Sequence, residues 1–179
     1  MQLVDDPPAD EAFLLELLNT TPIVDHAQRD LLDGEPGRAW LRERGGDGSA
    51  AEQGATRAAR DALQAVARGD EGAQSLAPLL SDLRLAPSIE DEGISWSLTD
   101  VPPARGLAVR ALLAWDAVRR TSPGRLRPCA NDECALFLID HSKPNRARWC
   151  SMATCGNRMK ARRRHERTRA EASAAESGG

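Results

Sequence analysis

The sequence predicts an α+β protein: a predominantly helical N-terminal domain with one β-hairpin, followed by a small four-cysteine module that ends in a basic helix. Three observations predict it. Apolar residues recur at helical spacing through most of the first 121 positions. The period drops to two on either side of the acidic turn Glu90-Asp91-Glu92-Gly93. All four cysteines fall between positions 129 and 155 and run directly into an arginine-rich segment.

The first helix is predicted over 8–19. Pro7 and Pro8 suit its first turn, Phe13, Leu14, Leu17 and Leu18 share one face, and Asn19-Thr20-Thr21-Pro22 ends it. A short helix follows from 36 to 44, with Trp40 and Leu41 inward and Gly45-Gly46 as its stop. A longer one covers 51–68, burying Ala55, Ala59, Ala62, Leu63 and Val66, and Gly69 closes it. Another is expected over 71–83. Leu85, Pro87 and Ile89, then Ile94, Trp96 and Leu98, alternate with polar neighbours and form the hairpin, with Pro87 on an edge strand. Pro102-Pro103 starts a helix over 104–121 whose core face is Leu107, Ala111, Leu112, Trp115 and Val118. Ser122-Pro123-Gly124 reads as a hinge. These boundaries give a first domain over 1–124, a cysteine module over 125–169 and a disordered tail over 170–179, where Ala, Glu, Ser and Gly dominate.

The 179 residues suit one domain of about 120 residues plus a small module. Hydrophobic residues make up 41% and charged residues 28%, a soluble, globular balance. No apolar run approaches the roughly 20 residues of a membrane span. The first residues, Met1 to Pro8, hold no basic stretch of a signal peptide, so a cytoplasmic location without membrane attachment is expected. In a reducing compartment, paired cysteines bind metal more often than they form disulfides.

The formal net charge of -3 hides a division. Residues 1–124 hold 12 basic and 21 acidic side chains, a net of -9; residues 125–170 hold 12 and 4, a net of +8. The basic part is nearly all arginine, whose planar fork suits phosphate and guanine. The division also suggests that the acidic domain docks electrostatically on the basic module and shields it.

The cysteines read Cys129-x4-Cys134, 15 residues, then Cys150-x4-Cys155. Two close pairs joined by a connector can supply the tetrahedral thiolate cage of one structural Zn2+. Sulfur fills all four positions and leaves none for a catalytic water. Such a small unit has little core of its own, so metal binding supplies much of its folding energy. Leu136–Ile139 is a β-prone run, Phe137 and Trp149 are expected to pack against the metal knot, and His141 is surplus to the ligand set. Ser151 is placed to cap a helix from Met152 to His165 or beyond, with Met152 and Met159 turned to the module. Arg158, Lys160, Arg162, Arg163 and Arg164 on that helix, and Arg146 and Arg148 before it, are the candidate nucleic-acid contacts.

Cys129-x4-Cys134, Phe137, Asp140, Ser142, then Arg148-Trp149-Cys150-Ser151-Met152-x2-Cys155-Gly156-Asn157-Arg158 resembles the CGNR zinc finger, named for the run that stands here at Cys155–Arg158. The resemblance adds Asn157 to the candidate contacts. The region upstream is similar to the ABATE domain that usually precedes this finger, through Leu17-Leu18-Asn19-Thr20, the helical succession and the hairpin feeding a Leu/Trp-rich helix. The resemblance implies a bacterial stress-induced transcriptional regulator whose finger binds DNA. One departure is Ala147, which separates Arg146 from Arg148 where the family carries adjacent arginines.

A DNA-binding regulator is the favoured function. RNA or ribosome association would use the same charge, although the module lacks the interleaved aromatics of a base-stacking platform. A thiol redox switch, in which oxidation releases zinc, is a third reading. Catalysis is not expected: the N-terminal region offers His26 near Asp25 and Asp30, a lone His in a polar segment, and no nucleophile elbow, phosphate loop or metal-binding His pair supports it. A homodimer would let two small fingers read a longer site. The effector of the N-terminal domain is left open.

Overall fold

The computed structural model describes residues 7–91 and 93–177. Helix α1 (Pro7–Leu18) buries the predicted Phe13, Leu14, Leu17 and Leu18. A minute hairpin follows, β1 (Ile23–Val24) and β2 (Ala27–Gln28), turned by Asp25 and His26, both in the left-handed region at φ 52° and 63°. Two successive positive φ values are those of the tight turn that matches strand twist. Helix α2 (Gly34–Glu43) buries Leu41 and sets Trp40 against Phe13, ring centroids 6.1 Å apart.

Helix α3 (Ala50–Arg68) is capped by Ser49, whose hydroxyl accepts from the Glu52 amide, and closed by Gly69 at φ 83°. The expected helix over 71–83 is instead a short 3-10 segment, Ala73–Leu79. Pro78 lies within it; its missing N–H and its ring forbid a continuing α-helix. Strands β3 (Arg84–Glu90) and β4 (Gly93–Thr99) form the predicted hairpin, with Pro87 opposite Trp96. A 3-10 turn (Pro103–Arg105) leads into α4 (Gly106–Thr121), which buries Leu107, Ala111, Leu112 and Val118 and lies against α1 and α3.

Strands β5 (Leu126–Pro128) and β6 (Phe137–Ile139) pair antiparallel and carry the cysteine module. The mixture of helices and small two-stranded sheets is the expected α+β fold, with two short hairpins beyond the one foreseen.

One hydrophobic core runs through both parts of the chain: Phe137 and Ile139 pack with Phe13, Leu14, Leu17, Leu63 and Leu112, and Leu126 borders them. Ser122-Pro123-Gly124 forms a turn, with Gly124 at φ 71°, leading directly into β5.

Helix α3 faces this core with a polar row that apolar periodicity did not reveal. Glu52, Thr56, Arg60 and Gln64 recur every fourth residue and are all buried. Arg60 donates to both carboxylate oxygens of Asp30, at 2.6 and 2.9 Å, and to Thr20. Gln64 donates to the Leu18 carbonyl and to Thr21. The Glu52 carboxylate accepts from the Gly48 amide at 2.8 Å, and burial raises its pKa. Arg60 and Gln64 tie α3 to the chain leaving α1, where the Leu18 carbonyl and the Thr21 hydroxyl would otherwise be buried short of partners.

Candidate metal centre and basic helix

Cys129 follows β5, Cys134 ends a turn closed by its amide on the Asn131 carbonyl at 2.8 Å, and Cys150 and Cys155 flank the start of the last helix. The four Sγ atoms lie within 4.8 Å of one another. Cys134 to Cys150 and Cys150 to Cys155 are each 3.7 Å, too long for disulfides. A tetrahedron of sulfurs about 2.3 Å from a zinc ion has edges of about 3.8 Å. The donor set thus has both the chemistry and the spacing for one structural zinc, held by Cys129, Cys134, Cys150 and Cys155.

The thiolates have outer partners. The Cys150 amide points to Cys129 Sγ and Asn131 Nδ2 to Cys155 Sγ, each at 3.5 Å. Asn131 is itself fully buried. Without a cation, burial and neighbouring thiols push Cys134 up to about 11 and raise Cys150. For Cys155, burial opposes ionisation, but hydrogen bonds from Asn131 and the other thiols outweigh it and lower the pKa. Zinc supplies the positive charge that lets all four ionise together.

Asp140 organises the connector. Its carboxylate accepts from the amides of Ser142 (2.8 Å) and Ala147 (2.7 Å) and from Arg127 (2.8 Å). The Ser142 bonds hold the carboxyl down at about 2, with help from Ala147 and Arg127. Arg127 also donates to Asn145, and Arg125 spans the same loop to the carbonyls of Asp140 and Ser142. The loop presents Arg146 and Arg148 to solvent in irregular backbone, with the Arg148 guanidinium 5.2 Å from the Trp149 ring.

Ser151 caps the last helix, accepting from the Thr154 amide. The first turn, Met152–Gly156, is wide, with the Gly156 amide reaching the Ser151 carbonyl at 2.9 Å. Gly156 lets its neighbours approach closely: a Cβ there would stand 2.8 Å from Met152 Sδ and 3.3 Å from the Trp149 ring, so Met152 would have to swing aside. Met152 covers Gly156 yet is 54% exposed, so only Met159 is turned partly inward as expected. Phe137, expected beside the metal, packs instead into the core of the helical domain, and half-buried Trp149 lies beside Gly156.

Residues 125–168 match the model of the CGNR zinc finger. This module is a zinc-binding CGNR finger. The match covers the finger and not the helical region before it. No curated protein matches the chain.

Helix α5 (Asn157–Ser177) emerges from the finger and runs through 170–177, where the composition predicted disorder. Alanine at 170, 172, 174 and 175, with no breaker before Gly178, is compatible with helix. Asn157, Arg158, Lys160, Arg162, Arg163 and Arg164 are all exposed. They divide between two faces. Lys160, Arg163, Arg164 and Arg167, at i, i+3, i+4 and i+7, form one stripe. Arg158, Arg162 and Arg169 fall on the opposite side. Arg158 borders a recess of about 400 Å³ with Ile23, Asp25, His26 and Glu133, and Arg162 reaches Glu133 at 3.9 Å and Glu166 at 3.3 Å. His26, weighed as a catalytic candidate, is exposed in that recess, and Asp30 is engaged by Arg60 and Arg57. His141 pairs with Glu11 of α1 at 2.7 Å, away from the thiol cluster. Among the described residues, no helix is long and apolar enough to cross a membrane.

Proposed function

We propose that this chain binds duplex DNA through its CGNR finger and acts as a bacterial, stress-responsive transcriptional regulator, with residues 1–124 as an ABATE-type domain. The observation that carries the reading is the stripe of Lys160, Arg163, Arg164 and Arg167, which is exposed and, among the described residues, has no ion pair to the protein. Four cations on adjacent turns of a helix anchored by a metal centre match the phosphates along a groove. Arg146 and Arg148 add charge from the neighbouring loop. The opposite stripe, facing Glu133 and the β1–β2 turn, positions the helix on the finger. The protein has no catalytic role in this reading.

Binding of a fluorescent duplex, followed by anisotropy across a salt series, tests it. Neutralising about 5–7 phosphates predicts a log–log salt slope of about -5 to -6. Salt-insensitive binding, or none to any duplex, refutes the reading, and a clear preference for structured RNA in competition transfers it to RNA.

A further inference from the structure

The β3–β4 hairpin carries two unlike faces. Directly opposed residues share a face in an antiparallel pair. Leu85 opposite Leu98, Pro87 opposite Trp96 and Ile89 opposite Ile94 make one face entirely apolar. Arg84–Thr99, Ala86–Ser97, Ser88–Ser95 and Glu90–Gly93 make the other largely polar. The polar face is satisfied locally: the Ser88 and Ser95 hydroxyls lie 2.6 Å apart, and Ser95 donates to Glu90 at 2.6 Å. The apolar face is left in solvent as well. Leu85, Ile89, Ile94 and Trp96 are 54%, 82%, 63% and 50% exposed. Only Leu98, at the base, is buried.

An amphipathic strand pair usually buries its apolar face; here both faces meet solvent. A two-stranded hairpin standing alone is marginally stable in water, and an apolar face needs a cover. The four exposed side chains present on the order of 500 Å² of apolar surface, towards the upper end of what a monomer exposes in one patch.

We propose that this face is a homodimer interface, covered by the same face of a second copy of this chain. Two such faces stacked would bury on the order of 1000 Å², the lower bound for a specific association. The row Leu85, Pro87, Ile89, Ile94, Trp96, Leu98 holds no charged side chain, so a copy meets no like-charge repulsion. A two-fold stack is self-complementary, because the Ile89–Ile94 end of one hairpin meets the Leu85–Trp96 end of the other. Pro87 removes a backbone donor from β3, which disfavours extension of the sheet through that strand and leaves face-to-face stacking. The polar Ser88–Ser95–Glu90 face stays in water on both outer sides. The proposal does not rest on the DNA reading.

Sedimentation of the zinc-loaded 179-residue chain across a dilution series tests it. The expected mass at the concentrated end is twice 19.4 kDa. The double variant Ile89→Glu/Ile94→Glu should remain at 19.4 kDa throughout, with zinc content and helical signal unchanged, because neither residue touches the core. Ser88→Lys, on the polar face, should still dimerise. A second measurement needs no variant: amide exchange in 84–90 and 94–99 should slow as concentration rises. A wild-type monomer at every concentration overturns the proposal. So does a dimer that survives both glutamates, hairpin exchange that ignores concentration, or a monomer whose hairpin binds lipid vesicles instead.

Discussion

The side-chain amide of Asn19 holds the backbone of Phe137 at both ends: Oδ1 accepts from the Phe137 amide at 2.7 Å, and Nδ2 donates to the Phe137 carbonyl at 3.3 Å. Asn19 thereby acts as a strand neighbour to β6, 118 residues away in sequence. The finger is joined to the helical domain by this pair, by the Phe137 ring in the shared core and by the Arg68 guanidinium 4.8 Å from that ring. The charge division suggested electrostatic docking; apart from the His141–Glu11 pair and Arg158 beside the Asp25 recess, the junction is built from packing and hydrogen bonds, and the basic stripe of α5 lies on the opposite side of that helix.

Asn19→Ala should therefore loosen the finger without emptying it. Two backbone groups beside a buried ring lose their partners, at a cost of about 2–4 kcal/mol. Urea unfolding should show this loss while zinc stoichiometry stays at one. Unchanged stability would mean that the Asn19–Phe137 bonds contribute nothing net.

Arg60→Ala should be among the most damaging changes in the helical domain. Asp30 is lowered in pKa despite its burial because Arg60 and the Leu32 amide bond it. Removing the guanidinium leaves Asp30 and Thr20 short of partners, at about 3–5 kcal/mol. Thermal unfolding of Arg60→Ala beside Arg57→Ala tests this, since Arg57 is more exposed and should cost much less.

These two residues also mark where the sequence becomes unreadable. The α1 face, the β3–β4 hairpin and the four ligands were legible because each is a local spacing rule: period 3.6, period two, and paired thiols. Asn19 read as a helix stop, and its partnership with Phe137 is non-local. Arg60 and Gln64 occupy core-facing positions that an apolar count passes over, because their polarity is answered by Asp30, Thr20, Thr21 and the Leu18 carbonyl. The expected 71–83 helix gives way to a 3-10 segment at Pro78, where one local residue outweighs the apolar spacing around it. Helical spacing alone placed Met152 inward; the wide first turn of the last helix left it exposed.

Zinc affinity should fall as pH falls. With Cys134 pushed up to about 11 and Cys150 also raised in the metal-free state, those thiols are protonated at neutral pH, and zinc must displace the protons. Each displaced proton changes affinity about tenfold per pH unit, in the direction of tighter binding at higher pH. Competition with a chromophoric chelator at several pH values measures the slope, and a flat profile would show that the thiols are already ionised. Chelation at fixed pH should raise amide exchange around the ligands, over 129–134 and 147–156, while β6, α1, α3 and α4 stay protected by the core they share.

Asp140→Asn should disorder the loop that carries Arg146 and Arg148. A carboxyl lowered to about 2 stabilises the fold fully above its ordinary range near 4, and the contribution is lost as pH falls from there towards 2. At neutral pH only substitution reveals it. Amide exchange at Ser142 and Ala147 should accelerate at least tenfold with zinc still bound; unchanged exchange would show that Arg125 alone holds the loop.

The two faces of α5 make opposite predictions for DNA. Replacing Arg163 and Arg164 by Gln removes two cations from the unpaired stripe and should flatten the log–log salt slope by about 2. Replacing Arg162, which faces Glu133 and Glu166, should change the slope by less than about 1. Exposure alone cannot tell these arginines apart, since all are open to solvent; helical phase does. If Arg162→Gln flattened the slope as much as the Arg163/Arg164 pair, the helix would present its Arg158–Arg162 side to the phosphates. The β1–β2 turn, with Asp25 beside the Arg158 recess, would then have to move aside or repel the DNA. Alanine at Asp25 would strengthen binding in that case and leave it unchanged in the arrangement proposed here.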